Sequence, residues 1–191
     1  MKTKNFFYGA MMTLCAVVLA MMTSCNLMNG NNPSDPSSKP SGSGTEEAAK
    51  GAYAEYAYAT TDQMIEIFYV KIEYMDGDGK MQTENVTKSS WGKRVEAKSL
   101  PVKFGMRVNL TMKGTVDQTK YKEILISYTA SYISTLRDAN GKSLGAVHKN
   151  ANDVELTIGP NQLSEWTINY QKKPAQFWFE YDEKGNFKLS E

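Results

Sequence analysis

Six apolar side chains, Val102, Phe104, Met106, Val108, Leu110 and Met112, alternate without a break with Lys103, Gly105, Arg107, Asn109, Thr111 and Lys113. An alternation held over the eleven residues from 102 to 112 puts every apolar group on one face of an extended chain, a pattern no helix reproduces. The segment 122–136 repeats it, with Ile124, Ile126, Tyr128, Ala130, Tyr132 and Leu136 set against mostly small polar residues. Shorter alternations follow at Val154, Leu156 and Ile158, at Trp166, Ile168 and Tyr170, and at Phe177, Phe179 and Tyr181, each read as a strand. Upstream, Tyr53 to Thr60 alternates Ala with Tyr, and Trp91, Val95 and Ala97 mark another strand. Between Ile65 and Tyr74 the apolar positions change parity, which a bulge or a strand entry near Ile67 or Phe68 reconciles. No helical period stands out, although Thr45 to Gly51 has the composition to start a short helix.

Three segments share one turn chemistry: Asp76 to Lys80, Asp138 to Lys142 and Asp182 to Asn186, each with Gly at the fourth place. Asp accepts local backbone hydrogen bonds and Gly supplies positive φ, so each reads as a hairpin turn. Their unequal spacings of 62 and 44 residues argue against a duplicated domain. About nine strands with such turns predict an all-β protein, an antiparallel sandwich over residues 52–191, with an up-and-down β-barrel as the alternative closure.

The N-terminal region follows different rules. Lys2 and Lys4 precede an uncharged apolar run of 17 residues, Phe6 to Met22, and then Thr23, Ser24 and Cys25. This is the layout of a secretory signal over residues 1–24, at the short limit for a membrane-spanning helix. A cut after Ala20 would leave Cys25 a lone free thiol, because Cys15 lies in the discarded run and no disulfide can then form within one chain. From Asn29 to Gly44, fourteen of sixteen residues are Asn, Gly, Pro or Ser and none is apolar, so residues 25–51 read as an attachment point and linker. As flexible coil, the part after Cys25 spans about 25 to 30 Å.

Net charge is +1, and −1 once the first 24 residues with their two lysines are removed (20 against 21), too small for a charge-driven nucleic-acid binder. His148 is the one histidine, in the polar stretch between Gly145 and Asn152, and is expected on an exposed loop. Without a histidine partner, a thiol or a nucleophile elbow, a hydrolytic triad has no basis, and a zinc site lacks ligands. No phosphate-cradling or dinucleotide loop occurs, and no cofactor is implied. Asp76 and Asp78 lack the further ligands of a calcium loop and read as a turn. Eighteen Asp and Glu from residue 53 onward include no pair that the sequence singles out for glycoside hydrolysis. The chain is therefore expected to be no enzyme.

Aromatic parity supplies the binding candidates. Trp178 lies between Phe177 and Phe179, so a strand there shows large rings on both faces and the indole points away from the core. Packing under a loop is one reading; a platform for a glycan ring or a protein, assisted by Tyr69, is the other. Trp91 and Trp166 have inward parity and read as core.

Met22-Thr23-Ser24-Cys25 resembles the bacterial lipobox, which implies diacylglyceryl modification of Cys25 and a membrane partner reached through acyl chains. Two or more chains make such an anchor stable. With the Asn, Ser and Pro spacer, Thr61 to Ile65 leading into Val70 to Tyr74, and Ser90-Trp91 followed by Leu100-Pro101, the layout is similar to small Bacteroidetes envelope lipoproteins. That resemblance implies an immunoglobulin-like sandwich, outer-membrane attachment and no catalytic residues. In gut members an acidic cluster after the cysteine marks export to the outer face, and its absence here points to the periplasmic leaflet. The competing expectation is an envelope assembly subunit joined by edge-strand pairing. If Cys25 carries the anchor, Cys25→Ala moves the chain from the membrane pellet to the soluble fraction on fractionation, and mass spectrometry of the wild type shows an acylated N-terminal cysteine.

Overall fold

A computed structural model of the chain describes residues 48–114 and 116–190, and the signal region, Cys25 and the linker to residue 47 lie outside the described residues. In chain order the elements are β1 (Gly51–Thr60), α1 (Asp62–Ile67), β2 (Phe68–Met75), β3 (Met81–Val86), β4 (Ser90–Ala97), β5 (Val102–Met112), β6 (Ile124–Arg137), β7 (Ser143–Ile158), α2 (Leu163–Lys172), β8 (Gln176–Tyr181) and β9 (Phe187–Ser190). The strands form two antiparallel sheets, ordered β4-β1-β6-β7 and β3-β2-β5-β8-β9, which makes the fold an all-β sandwich and not a closed barrel.

The alternating residues do what their period dictates. Val102, Phe104, Met106, Val108 and Leu110 of β5 are buried, as are Ile124, Ile126, Tyr128, Ala130 and Tyr132 of β6. Tyr132 stacks between Phe177 and Phe179, with ring centroids 4.7 and 4.5 Å away, at the centre of the core. The parity change near Ile67 is a strand entry: α1 ends at Ile67 and β2 begins at Phe68. Thr61 caps α1, its hydroxyl accepting the Met64 N–H at 3.2 Å.

Two helices correct the expectation of strands alone. Residues 163–172 are helical because Leu163, Trp166, Thr167 and Tyr170 recur at the i, i+3, i+4, i+7 spacing of a helix face. Leu163, Thr167 and Tyr170 are buried, Trp166 packs on Phe68, and Ile168, read as part of a strand, is 55% exposed. Gly51 opens a strand and not a helix. His148, expected on a loop, is exposed but lies within β7 opposite Ile133.

The three Asp-Gly segments are one device built three times. Asp76, Asp138 and Asp182 each donate their backbone N–H to the carbonyl of the residue four ahead, and Gly79, Gly141 and Gly185 donate to the Asp carbonyl at 3.2, 3.2 and 2.9 Å. Each Asp Oδ1 accepts two further backbone N–H groups at 2.8 to 3.0 Å, and the glycines have φ of 74, 79 and 81°. All three turns sit at the end of the sandwich where Ala48 enters β1: Gly77 abuts the Glu96 backbone, and Gly185 abuts Leu136 and Ala49. The opposite end carries α1, α2 and the connection between β5 and β6.

Two buried tyrosines are spliced into the strand ladder. The β2–β5 pairing stops at Tyr74 opposite Met106. At the next step Tyr56, reaching across from β1, accepts the Gly105 N–H at 3.1 Å and donates to the Met75 carbonyl at 2.9 Å. On the other side of β5, Val108 N–H bonds the Ala175 carbonyl directly at 2.8 Å. The reciprocal bond is replaced by Tyr170, which accepts the Ala175 N–H at 3.3 Å and donates to the Val108 carbonyl at 2.8 Å. Burial pushes both phenols far above their ordinary pKa, so they stay protonated. Tyr56→Phe and Tyr170→Phe each leave a buried N–H and C=O unsatisfied and are expected to cost about 2 to 4 kcal/mol by urea denaturation, with unchanged far-UV circular dichroism.

Candidate functional site

The outward face of the five-stranded sheet holds both aromatic candidates, at different places. Tyr69 is 65% exposed near the start of β2, opposite Thr111, with the Lys113 ammonium 5.3 Å from its ring centre. Lys113 is itself held there by donating to the Ile65 carbonyl at 2.8 Å. Trp178 pairs with Gly105, which lies level with Met75 at the far end of β2. Six residues of strand separate Tyr69 from Met75, about 20 Å. The rows between are occupied by a polar lattice: Lys71 pairs with Glu73 at 3.0 Å, and Arg107 Nε donates to Gln176 at 2.9 Å. The structure does not join Tyr69 and Trp178 into one platform.

Trp178 packs against a glycine. A Cβ built at Gly105 would fall 2.3 Å from Cε3 and 2.8 Å from Cδ2, the fused centre of the indole, so the ring occupies the space a side chain would take. Gly105 also has φ of 153°, which disfavours any other residue. The Cδ2–Cε3 side of the indole is thus against Gly105, and the residue is half-buried. Met75 and Met81, paired across the β2–β3 hairpin, continue the outward row on which Gly105 and Trp178 lie, and Met81 is 51% exposed. Lys103 and Glu180 form the next row toward the turns. The result is an apolar strip across the strands with charged rows on both sides.

An open cleft of about 690 Å³ adjoins it at the turn end, lined among others by Pro101, Lys103, Glu180, Asp182, Glu183 and Lys184. Its charges are of both signs, and Asp182 is committed to its turn through both oxygens. Hydrogen bonds from Asn186 hold that carboxyl below its usual range. Glu73, Asp76, Glu84 and Asp117 shift in the same direction, each led by a hydrogen bond from a neighbouring residue. A general acid for glycoside cleavage needs the opposite shift. Among the described residues no three His, Cys, Asp or Glu converge as a metal site. Asp76, weighed as a calcium ligand, accepts two backbone N–H groups on one oxygen and the Gln82 amide on the other.

Two charged clusters do structural work. On the four-stranded sheet the Tyr53 ring lies between Arg94 and Arg137, whose guanidinium carbons are 3.9 and 4.4 Å from its centre, and each arginine pairs with a glutamate, Glu55 or Glu96. At the flank formed by β3 and β4, Glu84 points inward and accepts from Tyr74 at 2.7 Å, Lys93 at 2.7 Å and Trp91 at 2.9 Å. Trp91 is thereby a partly buried wall of the core, as its parity implied, its ring tilted against Tyr74 at a centroid distance of 5.6 Å.

No family model, no curated protein and no solved structure matches the chain. Trp178 and Tyr69 were visible in the sequence. Gly105 was passed over there, although a glycine on the polar face of an otherwise regular strand marks a close approach.

The Lys93 ammonium, then Trp91 and Tyr74, hold the Glu84 carboxyl at about 2, against a usual 4.5. Because the folded value is depressed, the contribution to stability is present above about pH 4.5 and is lost as pH falls toward 2. Glu84→Gln is expected to lower the melting temperature at pH 7 and to flatten its fall across that window, as read by differential scanning calorimetry.

Proposed function

We propose that this chain is a lipid-anchored, non-enzymatic protein of the bacterial envelope whose sandwich presents a binding surface centred on Trp178, with a glycan as its ligand. The observation that carries the reading is the indole seated against Gly105, in the space a side chain would take. A ring so supported offers its free face to the apolar faces of a sugar at little cost in side-chain entropy, because backbone already fixes it. The flanking rows, with Lys103 and Glu180 on one side and Arg107 and Gln176 on the other, supply donors and acceptors of the kind that orient hydroxyl groups. The commitment of both Asp182 oxygens to hydrogen bonds within its own turn, beside the open cleft, supports a role without catalysis.

Membrane attachment rests on Cys25 and its preceding residues, with the outer membrane and its periplasmic leaflet as the proposed place. The described chain begins at the end that carries the three turns.

On a glycan array the full chain in detergent is expected to give signals that Trp178→Ala abolishes and Tyr69→Ala retains, with the melting temperature of Trp178→Ala falling by no more than about 5 °C. Equal binding by Trp178→Ala and wild type overturns the site, and the absence of any glycan signal overturns the ligand class.

A further inference from the structure

Four strands edge the two sheets, and three of them are closed against further pairing. On β3 and β4 the inward charges Glu84 and Lys93 meet across the flank, and β9 has four residues. The remaining edge, β7, runs for 16 residues. Its first half, Ser143 to Asn150, is open on both faces: Leu144, Gly145, Ala146, His148, Lys149 and Asn150 are exposed. Across the flank, Leu189 of β9 faces inward and is 46% exposed. The second half of β7 carries Val154, Leu156 and Ile158 on its inward side. Charge divides the same way, His148 and Lys149 in the first half and Asp153 and Glu155 in the second.

We propose that β7 is a homotypic interface at which a second copy of this chain adds its own β7 in antiparallel register, joining the two four-stranded sheets. A two-fold axis perpendicular to the sheet keeps inward residues inward and lays the first half of one strand against the second half of the other. Ala151 is the extra residue where the pairing with β6 shifts register, and it lies near the proposed axis. Two registers centred there preserve the faces. One sets Val147 opposite the partner's Leu156 and His148 opposite the partner's Glu155; the other sets Val147 opposite the partner's Val154 and His148 opposite the partner's Asp153. Either sets the outward His148 imidazole against an outward carboxylate and the inward Lys149 against Val154 or Asn152, and covers the open half with apolar side chains. The chain's own segment 29–44 has no apolar residue with which to fill that place. The interface lies on the sheet opposite Trp178 and stands independently of the ligand proposed there.

Sedimentation velocity of the full chain in detergent, between about 1 and 100 µM, tests this. Wild type is expected to be dimeric. Asp153→Lys with Glu155→Lys, and separately His148→Glu with Lys149→Glu, are expected to sediment as monomers with unchanged far-UV circular dichroism. Mixing the two variants restores a dimer, because the reversed charges are again complementary. A monomeric wild type, reversed variants that dimerise like wild type, or a mixture that stays monomeric overturns the proposal.

Discussion

The sandwich depends on hydroxyl groups that take the place of backbone hydrogen bonds. Tyr56 crosses from one sheet and enters the β2–β5 ladder of the other, accepting from Gly105 and donating to Met75. Tyr170 performs the same exchange between Ala175 and Val108 from α2. Apolar burial alone lets two sheets slide, since it is non-directional and scales with area. A phenol that must receive one N–H and reach one C=O fixes the sheets in both translation and rotation, and the low-dielectric surroundings that raise its pKa make its loss costly. The two insertions flank β5, so the strand whose alternation is cleanest is also the one held in place by polar groups.

The flanks of the sandwich are unequal for a related reason. Between β3 and β4 the gap is bridged by Glu84, whose oxygens receive a lysine, an indole and a phenol. A charge facing inward on an edge strand blocks a neighbouring strand, and its desolvation is offset by three charge-assisted bonds. On the other flank β7 is longer than the strands of the facing sheet, and Lys149 and Leu189 point inward yet are exposed, with no strand covering them among the described residues. One sandwich thus has a sealed side and an open side.

This asymmetry also explains how far the sequence could be read. Strands buried on one face announced themselves, and the alternation ending at Met112 coincides with β5. The edges β3, MQTENV, and β9, FKLS, were not seen, because an edge strand with few buried side chains carries almost no period. The first half of β7 read as a polar loop for the same reason. Helix α2 was misread because Trp166, Ile168 and Tyr170 satisfy a period of two, while the spacing that decides the matter, Leu163 to Trp166 and Thr167 to Tyr170, was not tested against it. At the candidate site both aromatics were legible, yet their separation was not: it follows from strand register, which hydrophobic pattern and turn geometry set only once the partners are known.

Gly105 connects the interior to the outer surface. Its N–H is taken by Tyr56 from inside, which ends the regular ladder and accompanies a φ of 153° that other residues avoid. Only glycine meets that condition easily, and glycine leaves an empty place on the outer face of the sheet. Trp178, directly across the pair, fills it with its indole. The geometry of the proposed ligand platform is therefore a consequence of a core hydrogen bond on the opposite side of the same residue. A selection pressure on either feature acts on both: a side chain at position 105 would displace the indole outward and strain the backbone that Tyr56 holds, so the platform and the joint between the sheets stand or fall together.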